Sequence, residues 1–190
     1  MNVFEEDIAH CLVVLQQGGI ILYPTDTVWG IGCDATNENA VKKIFSIKGR
    51  STEKSMIVLV ADEKDILKYV ASPDPAVFDF IKGTTKPTSI IYDGAIGLAA
   101  NLIHHDGSIA IRVVQEKFCR HLIKRFRKPI VSTSANFSGD PAPRNFRGVF
   151  NDIRTAVDYV AAYRQDEQGF AESSSVIKWN RDGSTTIIRP

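Results

Sequence analysis

Three cationic side chains cluster where a predicted helix ends and a loop begins. Lys48, Arg50 and Lys54 fall within seven consecutive positions, and Gly49 is a typical helix terminator. The helix dipole favours a cation at this end, so simple capping explains one of the three. Two cations about 4 Å apart repel by roughly 1 kcal/mol in water and roughly 4 kcal/mol at an effective dielectric constant of 20. Converging side chains would therefore need an anion between them, and polyphosphate suits both the bidentate grip of Arg and the point charge of Lys.

A second group of polar side chains follows residues 20–23, an apolar run that is typical of a buried strand. Residues 24–30 read Pro-Thr-Asp-Thr-Val-Trp-Gly and offer two hydroxyls, a carboxylate and an indole. Mixed folds often bind ligands at strand ends of this kind. Two interpretations stay open from these residues alone. The segment is either a ligand-binding loop that includes Thr27, or a turn with a local hydrogen bond and a packed Trp29.

Two further segments carry polar groups on or beside predicted strands. Ser108, Ala110 and Arg112 share one face of a strand, opposite three aliphatic residues. An arginine that faces a cleft can hold a carboxylate or a phosphate, and the alternative is a strand residue that faces solvent. Residues 132–139 read Ser-Thr-Ser-Ala-Asn-Phe-Ser-Gly, and such small hydroxyl residues let a ligand approach closely. The alternative is a Ser- and Asn-rich turn, and the whole of 132–147 is predicted to be a loop.

The elements that must position these groups follow from hydrophobic periodicity. Helices are predicted around residues 4–15, 37–49, 62–69, 75–81 and 118–126. Strands are predicted at residues 20–23, 56–60, 89–92, 109–113, 129–131 and 157–162, with a hairpin formed by 175–179 and 185–189. Helices and strands intermix without a repeat or a low-complexity linker. The pattern predicts one domain, residues 1–190, of the α/β (α+β) class with a mixed sheet.

Composition excludes several protein classes. Lys plus Arg total 23 and Asp plus Glu total 22, so the net charge of +1 excludes a generally basic nucleic-acid coat protein. The three cysteines form no C-x-x-C pair and the four histidines lack metal-ligand spacing, so we expect neither a metal site nor a disulfide framework. With no long apolar run and an acidic N-terminal stretch, the sequence predicts a soluble, cytoplasmic protein with no membrane partner.

In this order, five segments together resemble the Sua5/YciO/YrdC family over nearly the whole chain. They are Tyr-Pro-Thr-Asp-Thr-Val-Trp-Gly at 23–30, Lys-Gly-Arg at 48–50 with Lys54, Ile-Ala-Ile-Arg at 109–112, Ser-Ala-Asn-Phe-Ser-Gly at 134–139 and Ser-Ser-Val-Ile at 174–177. The resemblance implies a twisted sheet with a concave cationic face. It also implies a nucleotidyltransferase, threonylcarbamoyl-AMP synthase, which condenses L-threonine, bicarbonate and ATP with release of pyrophosphate for the modification of tRNA.

The resemblance also implies a role for each matching residue. The residues implied to contact ATP are Lys48, Arg50, Lys54, Ser108, Ser134, Asn136, Ala142 and Arg189, with Lys48 and Arg50 as the catalytic pair. Those implied to contact threonine are Thr27, Leu59, Arg112, Ser132 and Ser174, with Leu59 acting through its backbone or as pocket wall. Mg²⁺ is expected to arrive with ATP. The implied partners are a tRNA threonylcarbamoyl transferase complex and, more weakly, tRNA or double-stranded RNA.

Departures from the family pattern keep two alternatives open. The family often has P-G-P-x-T where residues 85–89 read Thr-Lys-Pro-Thr-Ser, and Trp29 stands where Tyr is common. The end of the chain at Pro190 predicts the short, YrdC-like form without an extra C-terminal domain. One alternative is a module that binds double-stranded RNA or tRNA through its cationic face. The other is a YciO-like paralogue with different or weak adenylate-forming activity.

Overall fold

The computed structural model describes residues 2–49, 56–169 and 172–190, in which nine strands form one mixed sheet with helices on both faces. The strand order is β7-β1-β2-β6-β3-β5-β4-β8-β9. The predicted α/β class with a mixed sheet is confirmed. Within the described ranges, no helix is both long and apolar enough to cross a membrane.

The helices lie close to the predicted positions, and one was not predicted. They are α1 (Val3–Gln16), α2 (Glu38–Lys48), α3 (Ala76–Gly83), α4 (Lys117–Phe126) and α5 (Asn151–Ala156). The strands are β1 (Ile21–Tyr23), β2 (Gly30–Gly32), β3 (Ile57–Val60), β4 (Thr88–Tyr92), β5 (Ile109–Val113), β6 (Ile130–Ser134), β7 (Tyr159–Val160), β8 (Ser175–Trp179) and β9 (Thr185–Arg189). The hairpin of β8 and β9 has the predicted bounds.

Helix α2 shows how local sequence sets an element that leads into the site. The Asn37 side chain accepts a hydrogen bond from the backbone N–H of Ala40 at 3.1 Å, which caps the first turn. Gly49 ends the helix in the left-handed conformation, with φ of 56°, as a glycine at this position favours. Both ends match the sequence prediction, and the helix therefore delivers Lys48 in its last turn.

The sheet separates two apolar clusters because neighbouring residues of each strand point to opposite faces. On one face, α1 and α4 pack over β1, β3 and β6, and Leu59 and Ile130 belong to this cluster. On the other face, α2, α3 and α5 pack over a larger cluster that includes Val58, Val60 and Ile111. The first cluster contains no residue of β4, β8 or β9, so it does not extend over the part of this face that those strands form.

One row of side chains crosses the sheet on that face. Ile57 of β3 pairs with Ser132 of β6 on one side and with Ala110 of β5 on the other. Ala110 in turn pairs with Ile91 of β4. Because directly paired residues share a face, these four side chains form a continuous strip across four strands.

The hydroxyl-rich segment corrects one sequence prediction. Residues 132–134 were predicted to lie in a loop, but they form the end of β6. Ser134 pairs with Gly30 of β2, and Ser132 pairs with Ile57 of β3. Tertiary pairing on both sides overrides the preference of Ser and Thr for turns.

One strand and one α-helix were missed, and one predicted helix was assigned the wrong type. Strand β2 contains two glycines in three residues, but a Cβ at Gly32 would lie 2.5 Å from the Val131 carbonyl oxygen, so close packing requires glycine there. Helix α5 buries Ile153 as its one core residue among six, which gives no periodicity. The predicted helix at 62–69 is a 3₁₀ helix over Glu63–Lys68.

We predict that Asn37→Ala lowers the free energy of unfolding by about 1 kcal/mol, because the Ala40 N–H loses its capping oxygen. Urea unfolding followed by circular dichroism measures the change. Asn37→Ser is the matched control, since serine keeps a capping oxygen and should stay within a few tenths of a kcal/mol of the parent. Equal losses in both variants would contradict the capping role.

Candidate functional site

A cavity of about 270 Å³ opens above the strip that crosses the sheet. Its wall includes all four residues of the strip, namely Ser132, Ile57, Ala110 and Ile91. The cavity also brings together six of the residues implied by the family resemblance: Thr27, Arg112, Ser132, Ser134, Ser174 and Arg189. These six come from distant parts of the sequence, and the sheet positions them in one place.

The loop between β1 and β2 holds Thr27 through a compact hydrogen-bond network. The Thr25 hydroxyl accepts from the Thr27 backbone N–H at 3.0 Å and donates to the Val28 carbonyl at 2.8 Å. The two threonine hydroxyls also lie 2.9 Å apart. Thr27 is 8% exposed, so its orientation is fixed by the loop and not by solvent. This network is the local turn foreseen as one alternative, and it presents Thr27 to the cavity.

Trp29 is the packed residue of the same loop. It is 6% exposed, and its ring lies 4.8 Å from that of Phe146, centroid to centroid. Trp29 therefore anchors the loop against the segment that follows β6. The packed tryptophan of one alternative is therefore confirmed, and Thr27 of the same turn lines the cavity, where a ligand contact stays a prediction.

Arg112 is buried, which rules out the alternative of a solvent-facing strand residue. Its side chain is 3% exposed and lines the cavity from β5. The guanidinium Nη2 lies 3.1 Å from Oδ1 of Asp26, whose other oxygen accepts from the Gln115 N–H at 3.1 Å. Arg112 Nε is buried and has no hydrogen-bond partner among the described residues. A buried cation of this kind requires a nearby anion, and Asp26 supplies it.

Arg189 and Ser174 form the far wall of the cavity. The Arg189 guanidinium donates to the Ser174 carbonyl at 2.8 and 3.0 Å. The Ser174 hydroxyl lies 2.9 Å from that of Ser89, which is fully buried in β4. Burial, and next the positive charge of Arg112, lower the pKa of Arg189 below its usual value. Both guanidinium groups line the same cavity.

Lys48 lies beneath the cavity and not in its wall. Its ammonium group donates to the backbone carbonyls of Ser134 and Asn136, the latter at 2.6 Å, and the residue is 1% exposed. The Ser138 N–H donates back to the Lys48 carbonyl at 2.9 Å. Lys48 thus fixes the position of the segment that follows β6 through these hydrogen bonds. The implied contact between Lys48 and a phosphate of ATP stays a prediction.

The remaining implied residues lie around the cavity or outside the described ranges. Leu59 is fully buried beneath α1 and α4, so its side chain is not a pocket wall. Asn136 donates through its side-chain amide to the Asp140 carbonyl at 2.7 Å and shapes the turn there. Ser108, at the start of β5, and Ala142 do not line the cavity. Arg50 and Lys54 lie outside the described residues.

Sequence reasoning missed Ser89 and Asp26 as parts of this arrangement. A serine directly before the apolar run Ile90-Ile91-Tyr92 of a predicted strand was the available signal for Ser89, because a buried hydroxyl needs a partner. Asp26 lies in the motif at residues 24–30, but the sequence analysis assigned no role to it. Its signal is chemical: a buried arginine predicts a nearby carboxylate.

The electrostatic character of the cavity is simple. Its described wall contains two arginines, Arg112 and Arg189, and no Asp or Glu. The described residues also contain no cluster of three His, Cys, Asp or Glu side chains that could hold a metal ion. The wall is otherwise hydroxyl and aliphatic, which suits an anionic ligand that carries apolar and hydroxyl parts.

Comparisons with known proteins agree with the family resemblance. The Sua5/YciO/YrdC family model, described as telomere recombination, matches residues 13–190. A threonylcarbamoyl-AMP synthase from Pseudoalteromonas translucida is 35% identical over 138 residues, 71% of this chain and 74% of the relative. Another, from Klebsiella pneumoniae, is 31% identical over 174 residues, 87% of this chain and 90% of the relative.

A solved structure shares the fold. The crystal structure of P. abyssi Sua5 in complex with L-threonine superimposes with a TM-score of 0.84 at 23% identity, covering 96% of this chain and 53% of that one. The chain thus spans about half the length of the Sua5 protein that it matches. Because the family model matches nearly the whole sequence, the chain belongs to the Sua5/YciO/YrdC family.

Proposed function

We propose that this chain is a threonylcarbamoyl-AMP synthase, which condenses L-threonine, bicarbonate and ATP to threonylcarbamoyl-AMP and pyrophosphate for tRNA modification. One observation carries the proposal: the cavity joins two arginines to several hydroxyl groups and contains no carboxylate in its described wall. The relatives of the same length class that carry this name support it, at 31% and 35% identity.

Arg112 and Thr27 are proposed to bind the threonine. The guanidinium of Arg112 suits the amino-acid carboxylate, because charge-assisted hydrogen bonds to carboxylates are among the strongest in proteins. Thr27 offers a hydroxyl and a methyl group, which match those of the threonine side chain. Ser132 and Ser174 add donors on either side, at 8% and 2% exposure, and Leu59 would act only through its backbone. The Sua5 complex with L-threonine supports a threonine site in this fold.

The segment after β6 is proposed to bind the nucleotide. Ser134 and Arg189 both line the cavity, and the Lys48 ammonium group donates to the backbone carbonyls of Ser134 and Asn136. The residues proposed to complete the ATP site are Arg50, Lys54, Ser108 and Ala142. Mg²⁺ is proposed to enter with the phosphate oxygens of ATP, since no carboxylate of the described wall could hold it.

The proposed chemistry needs positioning and charge stabilisation more than covalent work by the protein. The threonine amine and bicarbonate form N-carboxy-threonine with loss of water. An oxygen of this carbamate attacks the α-phosphorus of ATP, and the bond to pyrophosphate breaks. Arg50, Lys54 and Arg189 would neutralise the charge on the departing pyrophosphate, while Arg112 keeps the amino-acid end in place. A tRNA threonylcarbamoyl transferase complex is the proposed consumer of the product.

The proposal predicts turnover that depends on threonine, bicarbonate and ATP together. We expect mass spectrometry to detect threonylcarbamoyl-AMP, with stoichiometric pyrophosphate, and we expect serine and valine to react at least about tenfold more slowly because each lacks one group of threonine. Omitting bicarbonate is the control. Turnover with no preference for threonine would contradict the synthase and favour a paralogue with different chemistry.

A second prediction concerns Lys48. Lys48→Met keeps the aliphatic stem but removes the donor from the part-buried carbonyl of Ser134 and from the buried carbonyl of Asn136, and the loss at the buried group costs about 1–3 kcal/mol. We expect the KM for ATP to rise at least about tenfold and the free energy of unfolding to fall. Lys43→Met is the matched control, because Lys43 lies on the same helix and donates to the Gly18 carbonyl at an exposed site. An unchanged KM for ATP in Lys48→Met would contradict the role of Lys48.

A further inference from the structure

We propose that Asp26 is the positioning residue for Arg112, and that its charge restricts this end of the cavity to a single carboxylate and excludes polyphosphate. The inference rests on the proposed function, since it takes Arg112 as the group that binds the threonine carboxylate. Asp26 does not line the cavity. Its effect on the ligand is transmitted through its contact with Arg112, which does line the cavity.

The contact between the two side chains is buried on both sides. The side chain of Arg112 is 3% exposed and that of Asp26 is 10% exposed. Nη2 and Oδ1 lie 3.1 Å apart, yet Oδ1 has no hydrogen-bond partner among the described residues. The pair is therefore held by charge and not by a bidentate hydrogen-bonded fork. The Arg112 guanidinium therefore retains N–H groups that can donate to a ligand in the cavity that Arg112 lines.

Asp26 also connects the two segments that supply the proposed threonine contacts. Its Oδ2 accepts from the N–H of Gln115, two residues beyond the end of β5, at 3.1 Å. Its backbone precedes Thr27 directly in the loop between β1 and β2. One carboxylate thereby sets both the direction of Arg112 and the distance between Arg112 and Thr27.

The balance of charge at this end explains the restriction. Arg112 carries one positive charge, and the Asp26 carboxylate beside it offsets that charge, so this end can take the single charge of an amino-acid carboxylate but repels the several charges of a polyphosphate. Without Asp26, the Arg112 guanidinium would face the cavity with no compensating anion beside it. That arrangement binds phosphate and pyrophosphate well, so a product of the reaction would then occupy the threonine position.

Asp26→Asn tests the inference directly. The asparagine oxygen can still accept from the Gln115 N–H, so the loop keeps its anchor while the charge beside Arg112 is lost. We expect the Kd for L-threonine, measured by calorimetry without ATP, to rise at least about tenfold, with the KM for ATP within about twofold of the parent. We also expect pyrophosphate to become competitive with threonine, whereas in the parent it competes with ATP alone.

Two comparisons separate positioning from a general loss of stability. Asp34→Asn is the matched control, because it removes another buried carboxylate paired with a cation, Lys128 at 2.6 Å, away from the cavity. It should lower stability and leave the Kd for threonine unchanged. In an Arg112→Met background, adding Asp26→Asn should not weaken threonine binding further, and this double variant removes both buried charges together, which protects folding.

The outcomes distinguish the inference from the proposed function. If the parent binds no threonine, the proposed function fails and the inference with it. If the parent binds threonine and Asp26→Asn binds it equally well, the inference alone is overturned. A further loss of affinity on adding Asp26→Asn to Arg112→Met also overturns it, because Asp26 would then act by another route.

Discussion

The arrangement of the cavity depends on the buried guanidinium group of Arg112, which lies in the cavity wall. Arg112 sits on β5, near the centre of the sheet, at 3% exposure. A charge in that position is tolerated only beside an opposite charge, and Asp26 comes from a loop more than 80 positions earlier in the chain. The ion pair thus ties β5 to the loop between β1 and β2. Thr27, which follows Asp26, is brought to the same cavity as a consequence.

Hydroxyl groups and close backbone approach make the rest of the cavity. Ser132 lies in the strip across the sheet, and a Cβ at Gly30 would lie only 3.0 Å from its hydroxyl oxygen. Small side chains at these positions leave room that larger ones would fill. Ser174 and Ser89 satisfy each other's hydroxyls, so the far wall can be polar and buried at once. Small residues therefore leave the space of the cavity, and Arg112 and Arg189 give its described wall a positive charge.

Periodicity predicted most of the fold, and the failures have physical causes. Helix α4 and strand β5 were predictable because their apolar residues recur at the spacing of helix and strand. Strand β2 was hidden because glycine has low strand propensity, although Gly32 is required by the packing of Val131 against it. The end of β6 was predicted as loop because Ser and Thr are common in turns, and only pairing with two neighbours makes it a strand. Among the site residues, side-chain chemistry left Arg112 open between a cleft and solvent, and the structure places it in the cavity wall. Side-chain chemistry could not reveal that Lys48 holds backbone carbonyls instead of lining the cavity, since that depends on how α2 meets the segment after β6.

The central claim is that one cavity holds an amino acid by its carboxylate at Arg112 and a nucleotide beside Ser134 and Arg189. A crystal structure with L-threonine and a non-hydrolysable ATP analogue tests this most directly. The account predicts a threonine carboxylate oxygen within hydrogen-bond distance of the Arg112 guanidinium, with Asp26 still paired behind it. It also predicts phosphate oxygens near Arg189 and the end of β6. Phosphate oxygens on Arg112, or threonine bound outside this cavity, would contradict it.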